Sequence, residues 1–281
     1  MTIINLCRTD PMVNLVHDLF GANIVRVPDA RVQPLSVIVH RSGRSFFRGS
    51  LLPLLADPTP MRVQTTESDV TDISGRRSRR VTLDLGLHIL RGFLQGLGLP
   101  HADLTTGLTG AAYLSFAFPV VHRFAFDINA LGSDLAGRRI NRGNPAAAIL
   151  FDEPSYELLL IDSVLTSRQI AVVISGAKGE RLNVDLAALR QTVTEIGGTV
   201  GATTDSDVEL RLTSEADLTF AFSCVRLTFD AEGSILALPP DHETRILSEL
   251  IPAHVRLSDG PGLLLWDRAE PVGAYASAAS G

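Results

Sequence analysis

The chain has 281 residues, a formal net charge of −6 and a mean hydropathy of +0.20. This length suits one large domain or somewhat more, and the two cysteines, Cys7 and Cys224, are too few for a disulfide framework or a metal cluster. No stretch approaches the ~18 consecutive apolar residues that a membrane-spanning helix needs, and the first residues do not form a secretory leader. We therefore expect a protein that is made and kept in the cytoplasm.

The first part of the chain predicts short helices and strands. Asp10-Pro11 supplies an N-cap and an N1 proline, and Gly21 ends the helix that they begin. After it we expect strands over 24–27 and 35–39, a hairpin turn over 41–44, a short apolar helix over 51–56 and a polar connection over 67–80.

A long run of strict alternation follows. Between Leu104 and Ile128 the even positions are mostly apolar and the odd ones mostly polar or small, which predicts a β-ribbon with one apolar and one polar face. Pro119 interrupts the run, so we expect two strands or one that bends. Strands of soluble domains average ~5–6 residues, whereas membrane-spanning strands need ~9–11. The ribbon is therefore long enough for a strand that lines a pore wall.

Three further runs complete the pattern. Val81 to Ile89 alternates in the same way, and Leu158 to Ser175 predicts a strand that is buried on both faces. Val208 to Cys224 alternates until Val225, where the phase changes and predicts a β-bulge. From the pattern alone, the runs indicate either a large antiparallel sheet half buried against helices or strands that enter a membrane.

The last part of the chain predicts two helices and a tail. Asn183 is the expected cap of a helix that ends at Gly197-Gly198, and Asp241 is the expected cap of a helix that ends before Pro252. Beyond them lie a turn segment over 258–262 and an apolar patch over 263–266 that holds the only tryptophan.

Arginine supplies all but one of the 25 basic residues. Its planar fork suits phosphate oxygens. The clusters are Arg76, Arg77, Arg79 and Arg80, and then Arg138, Arg139 and Arg142. They indicate either contacts with anionic lipid head groups or nucleic acid, or ordinary solvated turns. The segment from Ala231 to Gly281, with three arginines and seven acidic residues, has a net charge of −4.

Motifs of catalysis are missing from the sequence. It contains no Gly-x-Ser-x-Gly elbow, phosphate-binding lysine loop, zinc-protease motif or paired-cysteine site. The seven histidines are scattered, and the glycine-rich stretch 92–98 does not join a strand to a helix within a βαβ unit. We therefore expect neither an enzyme nor a metal site.

Four stretches in order carry the likeness to a known family. They are 27–28 with 33–39 (Val-Pro and Gln-Pro-Leu-Ser-Val-Ile-Val), 67–69 with 75–77 (Glu-Ser-Asp and Gly-Arg-Arg), 163–169 (Ser-Val-Leu-Thr-Ser-Arg-Gln) and 218–227. Together they resemble the gasdermins, the pore-forming proteins of pyroptosis. The resemblance implies an α+β fold: a twisted, largely antiparallel central sheet with long strands, flanked by helices.

The chain departs from animal gasdermins after Asp230, where only about fifty residues follow instead of a large inhibitory domain. In this it resembles the small bacterial gasdermins, in which a short carboxyl-terminal peptide inhibits the pore-forming part. In those proteins an amino-terminal cysteine is palmitoylated, and Cys7 is the position that matches. On its residues alone, Cys7 is equally well explained as an idle thiol near the chain end.

The resemblance also implies a function. Residues 1–240 would form the pore-forming domain and 241–281 the autoinhibitory segment, which an activating protease would cut. The freed part would assemble with copies of itself in the inner membrane and cause cell death, as in anti-phage defence. The lipid-facing positions would be Leu114, Phe116, Phe118 and Leu210.

Further expected contacts follow from the same likeness. Arg76, Arg77, Arg79 and Arg80 would meet anionic lipid head groups, and no nucleic acid is expected. The cut is expected between Arg256 and Arg268, in the region of Leu257, Ser258, Asp259, Gly260, Pro261, Gly262 and Leu263, because glycine- and proline-rich loop tips are favoured sites of nicking. Leu263, Leu264, Leu265 and Trp266 would anchor the tail on the sheet. The alternatives are a soluble α+β ligand-binding or scaffolding domain without membrane activity, and an enzyme with a site that the motifs do not reveal.

Overall fold

The structure, a computed structural model, describes residues 23–41, 44–71, 73–75, 77, 80–83, 111–152, 156–177, 184–195, 198–204, 206–238 and 263–264, and single positions 87, 90, 94, 108 and 182. The strands are β1 Asn23–Asp29, β2 Ser36–Arg41, β3 Arg44–Ser50, β4 Thr66–Asp69, β5 Val81–Thr82, β6 Tyr113–Ala117, β7 His122–Ala125, β8 Glu157–Ser175, β9 Thr199–Thr203, β10 Asp207–Arg226, β11 Thr228–Phe229, β12 Ile235–Ala237 and β13 Leu263–Leu264. The helices are α1 Ile128–Leu135, α2 Pro145–Asp152 and α3 Leu186–Glu195.

Two very long strands form the spine of the main sheet. β8 has 19 residues and β10 has 20, and the two pair antiparallel along almost their whole length, from Asp207 opposite Ser175 to Arg226 opposite Leu159. Every other pairing of the sheet, which has 11 strands in the described part of the chain, is antiparallel except that of β13. The predicted fold class, an α+β protein with a largely antiparallel sheet of long strands, is therefore confirmed.

Shorter strands flank the spine in series. Along the outer side of β8 lie β6, then β7, then β2; along the outer side of β10 lie β9 and then β1. We call the end formed by β5, β6, β9, 170–175 of β8 and 207–213 of β10 the distal half. The proximal half comprises β1 to β4, β7, 157–167 of β8 and 218–226 of β10.

The core divides along the same axis. One apolar cluster joins the distal strands to helical residues, and a second packs α1 and α2 on β2 and the proximal part of β8. A third, smaller cluster fills the opposite face of the proximal half around Ile38, Ile161 and Phe222. Buried apolar side chains therefore run through the whole sheet, on one face or the other.

The run from Val81 to Ile89 is not a strand, contrary to the prediction. Among the described residues of this run, Val81 and Thr82 are extended and Leu83 and Leu87 are helical, as is Leu90 just beyond it. Positions 81, 83, 85, 87 and 89 have the spacing of an alternating strand, whereas leucines at 83, 87, 90 and 94 have the spacing of a helical stripe. Packing decides between the two, since Leu90 and Leu94 belong to the apolar cluster of the distal half, called the distal cluster, and Leu83 and Leu87 pack against it.

The ribbon from Leu104 to Ile128 is shorter than predicted. It contains β6 and β7, which are separated at Pro119 as expected, but Ile128 begins α1 instead of ending a strand. The Asp127 carboxylate accepts hydrogen bonds from the amides of Asn129 and Ala130, so a local N-cap ends the alternation.

Two further helix predictions need correction. The apolar helix expected over 51–56 is a single 3₁₀ turn, Leu52–Leu54, because Leu55 is extended and forms a backbone bridge with Ile140. The cap of α3 is Asp185, which accepts from the amides of Ala187 and Ala188, and not Asn183. The predicted helices over 10–21 and from Asp241 lie outside the described residues.

The other strand predictions hold. Of the described residues of β8, only Arg168 and Gln169 are exposed, so this strand is buried on both faces as predicted. The bulge predicted at Val225 lies between Ser223 and Cys224.

Candidate functional site

The distal half of the sheet has one apolar face and a second face that is polar along β10 but has buried Ala171 and Val173 along β8. Leu114 and Phe116 of β6, Val172 and Ile174 of β8, and Leu210 of β10 are all buried in one cluster. Residues at the intervening positions point to the other face, since successive side chains of a strand alternate. The period-two pattern of the sequence is therefore present in this half of the sheet.

Helical side chains cover the apolar face. Leu90 and Leu94, which come directly after β5, and Leu189 and Val193 of α3 are each no more than 1% exposed and pack into the distal cluster. Each leucine buried in this way contributes ~1.5–3 kcal/mol relative to exposure. The cover is therefore held by apolar packing.

Gly198 shows how closely the end of α3 packs on β10. A Cβ atom at this position would lie 2.6 Å from Leu212 Cδ2 of β10 and 2.9 Å from Val193 Cγ1. Only glycine allows this approach, and its amide donates to the carbonyl of Val193 at 2.8 Å. The glycine pair predicted to end the helix thus also lets the helix end sit directly on the strand.

The polar face carries a network of arginines and carboxylates. Arg211 Nε donates to Glu209 Oε1 at 2.7 Å, and Arg77 Nη2 lies 3.4 Å from Glu209 Oε2. Arg80 Nη2 lies 3.7 Å from Asp207 Oδ1, which also accepts from the Ser175 hydroxyl. The segment before β5 is therefore joined to the start of β10 by charge.

The structure places the predicted lipid-facing residues in the soluble core. Leu114, Phe116 and Leu210 lie on the covered apolar face, and Phe118, just beyond β6, stacks on Phe220 with ring centroids 3.8 Å apart. Among the predicted head-group residues, the structure describes Arg77 and Arg80, whose side chains are about half exposed. Sequence analysis did not identify their partners Asp207 and Glu209, although Glu209 belongs to the polar phase of the run.

The second arginine cluster has structural roles. Arg138 Nη1 donates to the Thr59 carbonyl and Arg142 Nη1 donates to the Ala231 carbonyl, both at 2.7 Å. These two side chains tie loops of the proximal half together, so we assign them no lipid contact.

Several predicted site residues lie outside the described part of the chain. They are Cys7, Arg76, Arg79, Leu257, Ser258, Asp259, Gly260, Pro261, Gly262, Leu265 and Trp266. The backbone of Leu263 and Leu264 is described, and it forms β13, which pairs parallel with Ile24 and Val25 of β1 and lies near β3. The tail therefore supplies an edge strand to the proximal half.

The described residues include neither a membrane-spanning helix nor a metal-binding cluster. None of the helices there combines the length and hydropathy that crossing a bilayer requires. Within the same residues, no group of three or more His, Cys, Asp or Glu side chains is arranged to hold a metal ion.

Comparison with known proteins gives a consistent result. The family model described as the bacterial gasdermin family matches residues 25–234. The chain is 26% identical over 235 residues to the gasdermin of Lysobacter enzymogenes, covering 82% of this chain and 84% of that protein. It is 25% identical over 267 residues to the gasdermin of a Vitiosangium species, covering 92% and 97%.

The fold agrees with a solved structure as well. A bacterial gasdermin from Bradyrhizobium tropiciagri superposes with a TM-score of 0.60 over 92% of this chain and 96% of that one, at 11% identity.

Proposed function

This chain belongs to the bacterial gasdermin family, and from that premise we propose that it is a protease-activated pore-forming protein whose distal sheet enters the membrane. The observation that carries the proposal is the covered apolar face: strands with alternating faces, closed over by helical leucines that lipid chains can replace. With the cover removed, the apolar face would meet lipid and the polar face would meet a water-filled lumen.

Backbone chemistry requires many copies. In a bilayer every strand must pair on both sides, which only a closed barrel allows, so the activated chains assemble with one another. Spanning strands need ~9–11 residues, and β8 and β10 exceed that length in the soluble form with 19 and 20. The membrane-spanning hairpins would come from the distal parts of 81–128 and 158–212, with Leu114, Phe116, Phe118 and Leu210 toward lipid.

The tail is proposed as the inhibitor. Residues 1–240 form the pore-forming domain, 241–281 form the inhibitory segment, and a protease cuts at 257–263. The pairing of Leu263 and Leu264 with β1 supports this role, because an added edge strand holds the tail on the sheet by backbone hydrogen bonds. We expect Trp266→Ala to loosen the tail and give leakage without protease.

Lipid contacts are proposed at two places. Arg77 and Arg80, with Arg76 and Arg79, bind anionic head groups; the exposure of the two described side chains supports this, and the acidic tail would mask the same charge before cleavage. Cys7 carries a thioester-linked palmitoyl chain, which adds ~0.8 kcal/mol per buried CH₂ and needs a second membrane contact to anchor stably. Intact mass spectrometry with and without hydroxylamine tests the acyl group, and an unmodified mass from native cells would contradict it.

The proposed cellular location and the effect on the cell follow from these steps. The intact chain is cytoplasmic, the cut chain is in the inner membrane, and pore formation kills the cell, as suits a defence against phage. The partners are an activating protease, anionic lipids and further copies of the chain, and no nucleic acid or catalysis is involved.

Dye release from vesicles tests the proposal. The full chain, carrying an inserted recognition site for a sequence-specific protease between Ser258 and Gly262, is added to vesicles of anionic lipid before and after cutting. We expect release only from the cut chain. Release from neither form would favour a soluble binding or scaffolding domain, and release from both forms would contradict an inhibitory tail.

A further inference from the structure

At one point along β8 and β10, the sheet narrows to these two strands alone. On the outer side of β8, β6 ends with Ala117 opposite Ala171, and β7 begins with His122 opposite Thr166. On the outer side of β10, β9 pairs no further than Arg211 and β1 pairs from Thr219. Within the described residues, no flanking strand pairs with the spine between these points, so the β8–β10 ladder alone continues the sheet there.

The ladder itself is interrupted at the same level. Gln169 lies opposite Thr213 and Ser167 lies opposite Leu218, so the single residue Arg168 faces the four residues 214–217 of β10. On the β8 side the chain bonds to itself, with the Ser167 hydroxyl accepting from the Gln169 amide at 3.2 Å. Such a bulge leaves backbone unpaired and lets a strand bend.

One ion pair spans the bulge. Arg168 Nη2 and Nε donate to the same oxygen of Asp217, at 2.9 and 3.1 Å. These bonds raise the pKa of Arg168, whose guanidinium is charged at neutral pH in any case. The two side chains are 60% and 36% exposed, so water competes for the pair and its stabilisation is small.

A second connection crosses this level beside β8. It is the turn between β6 and β7, where the Gly75 amide donates to the Phe118 carbonyl at 2.7 Å and Phe118 stacks on Phe220. Within the described residues, the two halves of the sheet are thus joined by one two-stranded ladder, by this turn with Val70, Gly75 and Arg77 bonded to it, and by apolar side chains such as Leu165 and Phe220 that pack into the distal cluster.

We call this two-stranded segment, 167–169 of β8 and 213–218 of β10, the waist. We propose that the waist is a hinge about which the distal half turns relative to the proximal half. The Arg168–Asp217 ion pair is its latch, the contact that holds the hinge closed. The proposal rests on the proposed function, because the turn is what frees the distal half to leave its cover and enter the membrane. During this turn the proximal half keeps its structure, and β10 changes its bend at the bulge. A regular ladder at this level would hold the two halves as one rigid sheet.

Deleting Ser214, Glu215 and Ala216 tests the hinge directly. The deletion leaves Asp217 opposite Arg168 between the existing pairs, which makes the ladder regular and keeps the ion pair. In the full chain with the inserted protease site, we expect the cut deletion variant to bind vesicles like its parent but to release dye at least about tenfold more slowly.

The matched control keeps the number of residues and changes their identity. The triple substitution Ser214→Gly, Glu215→Ser and Ala216→Gly retains the bulge, so we expect release within about twofold of the parent. A deletion variant that leaks like its parent overturns the hinge, and so does a control that loses leakage together with the deletion, because the bulge length would then not matter.

A milder variant covers the case in which the deletion fails to fold. Arg168→Gln removes the latch and keeps the bulge, and we expect release about two to five times faster, since exposed ion pairs stabilise only slightly. An unchanged or slower rate in this folded variant would overturn the latch and, when the deletion variant does not fold, the hinge with it.

Failure of the proposed function can be distinguished from failure of the hinge, because the cut parent chain would then release no dye. The hinge is then measured in the intact chain by electron paramagnetic resonance distances between spin labels at the exposed Thr66 of β4 and Thr199 of β9, introduced as unnatural amino acids because Cys7 and Cys224 are native thiols. We expect a broad distance distribution in the parent and a narrow one in the deletion variant. Equal widths would overturn the hinge.

Discussion

Apolar side chains pack helices on the sheet in both halves, but the proximal half is also fastened by hydrogen bonds between its loops. In the proximal half, loops are fastened by directional bonds: the Asp134 carboxylate accepts from the Val63 amide at 2.9 Å and also from the Arg62 amide, and the Asn144 amide group donates to the Pro53 carbonyl at 2.9 Å. In the distal half, the described helical residues meet the sheet through leucine and valine side chains.

This difference shows which half is suited to change its surroundings. Apolar packing has no direction, so lipid chains can replace a leucine of the cover at little cost. A buried hydrogen bond needs its particular partner, and its loss leaves a polar group unsatisfied. A protein that must release one half of a sheet and keep the other would be built in this way.

The largest effect is expected from a charge on the distal apolar face. Leu210→Asp puts a carboxylate at a position that is 1% exposed, which costs several kcal/mol in the soluble form, and it faces lipid in the proposed pore. We expect dye release to fall at least about a hundredfold, and the same for aspartate at Leu114, Phe116 or Phe118.

A control variant separates the effect of a charge on the apolar face from its effect on the exposed face. Thr199→Asp places a carboxylate opposite Arg211 on the exposed face, and we expect this variant to release dye like its parent. Val172→Thr, which keeps the side-chain shape, is the milder variant on the apolar face if aspartate unfolds the chain. Folded Leu210→Asp protein that leaks like its parent would show that the strand faces are assigned wrongly.

A smaller effect, and one confined to stability, is expected in the proximal half. Asp134→Ala removes a charged acceptor of two backbone amides, so we expect unfolding to become easier by about 2 kcal/mol. Thermal denaturation measures the loss. Because the proximal half keeps its structure in the proposed pore, leakage by the cut variant should stay within about twofold of the parent, and abolished leakage would contradict the division between the halves.

The same residue gives a pH dependence with a definite sign. The Val63 amide bond, with that of Arg62 and the charge of Arg138, holds the pKa of Asp134 below its usual range. A lowered pKa in the folded state stabilises at pH values above the ordinary pKa of ~3.9 and is lost as the pH falls through the folded value. The stability gap between parent and Asp134→Ala should therefore be full at pH 7 and narrower at pH 3; a constant gap would be the contrary result.

Charge removal on the distal polar face should affect lipid binding more than stability. Arg77→Gln and Arg80→Gln each remove a half-exposed arginine, and a basic residue near an anionic surface contributes ~1 kcal/mol. We expect each to weaken binding of the cut chain to anionic vesicles about fivefold in sedimentation, with Arg62→Gln in the proximal half as the control. Equal binding by all three variants would remove these arginines from the membrane contact.

The smallest effect concerns backbone strain in the proximal half. Leu35 has a φ of 67°, a left-handed conformation that costs ~1–2 kcal/mol for a residue with a Cβ. Leu35→Gly relieves the strain and Leu35→Ala does not, so we expect the glycine variant to be the more stable of the two. An alanine variant with the higher melting temperature would show that the strain is compensated elsewhere.

The long strands were predicted well because β10 alternates in burial from Asp207 to Thr213 and β8 is a nearly continuous buried run. Prediction failed where two patterns overlap, since Leu83 and Leu87 fit an alternating strand and also form a helical stripe with Leu90, and the choice depends on the sheet below them. The helices α1 and α2 were missed although Asp127 and Asn144 cap them, since the surrounding residues are apolar at most positions.

Contacts between segments far apart in the chain could not be predicted from the sequence. The ion pair of Arg77 with Glu209 and the parallel pairing of Leu263 with Ile24 join residues far apart in the chain, and local patterns do not set such pairings. The bulge at 214–217 was also hidden, because Ser214 to Asp217 continue the alternation of their neighbours.

Amide hydrogen exchange on the cut chain bound to anionic vesicles tests the difference between the halves most directly. We expect α3 in the distal half to change its protection strongly after cutting, while α1 and β2 in the proximal half exchange as they do in the intact chain. Equal change in both halves, or change confined to the proximal half, would contradict it.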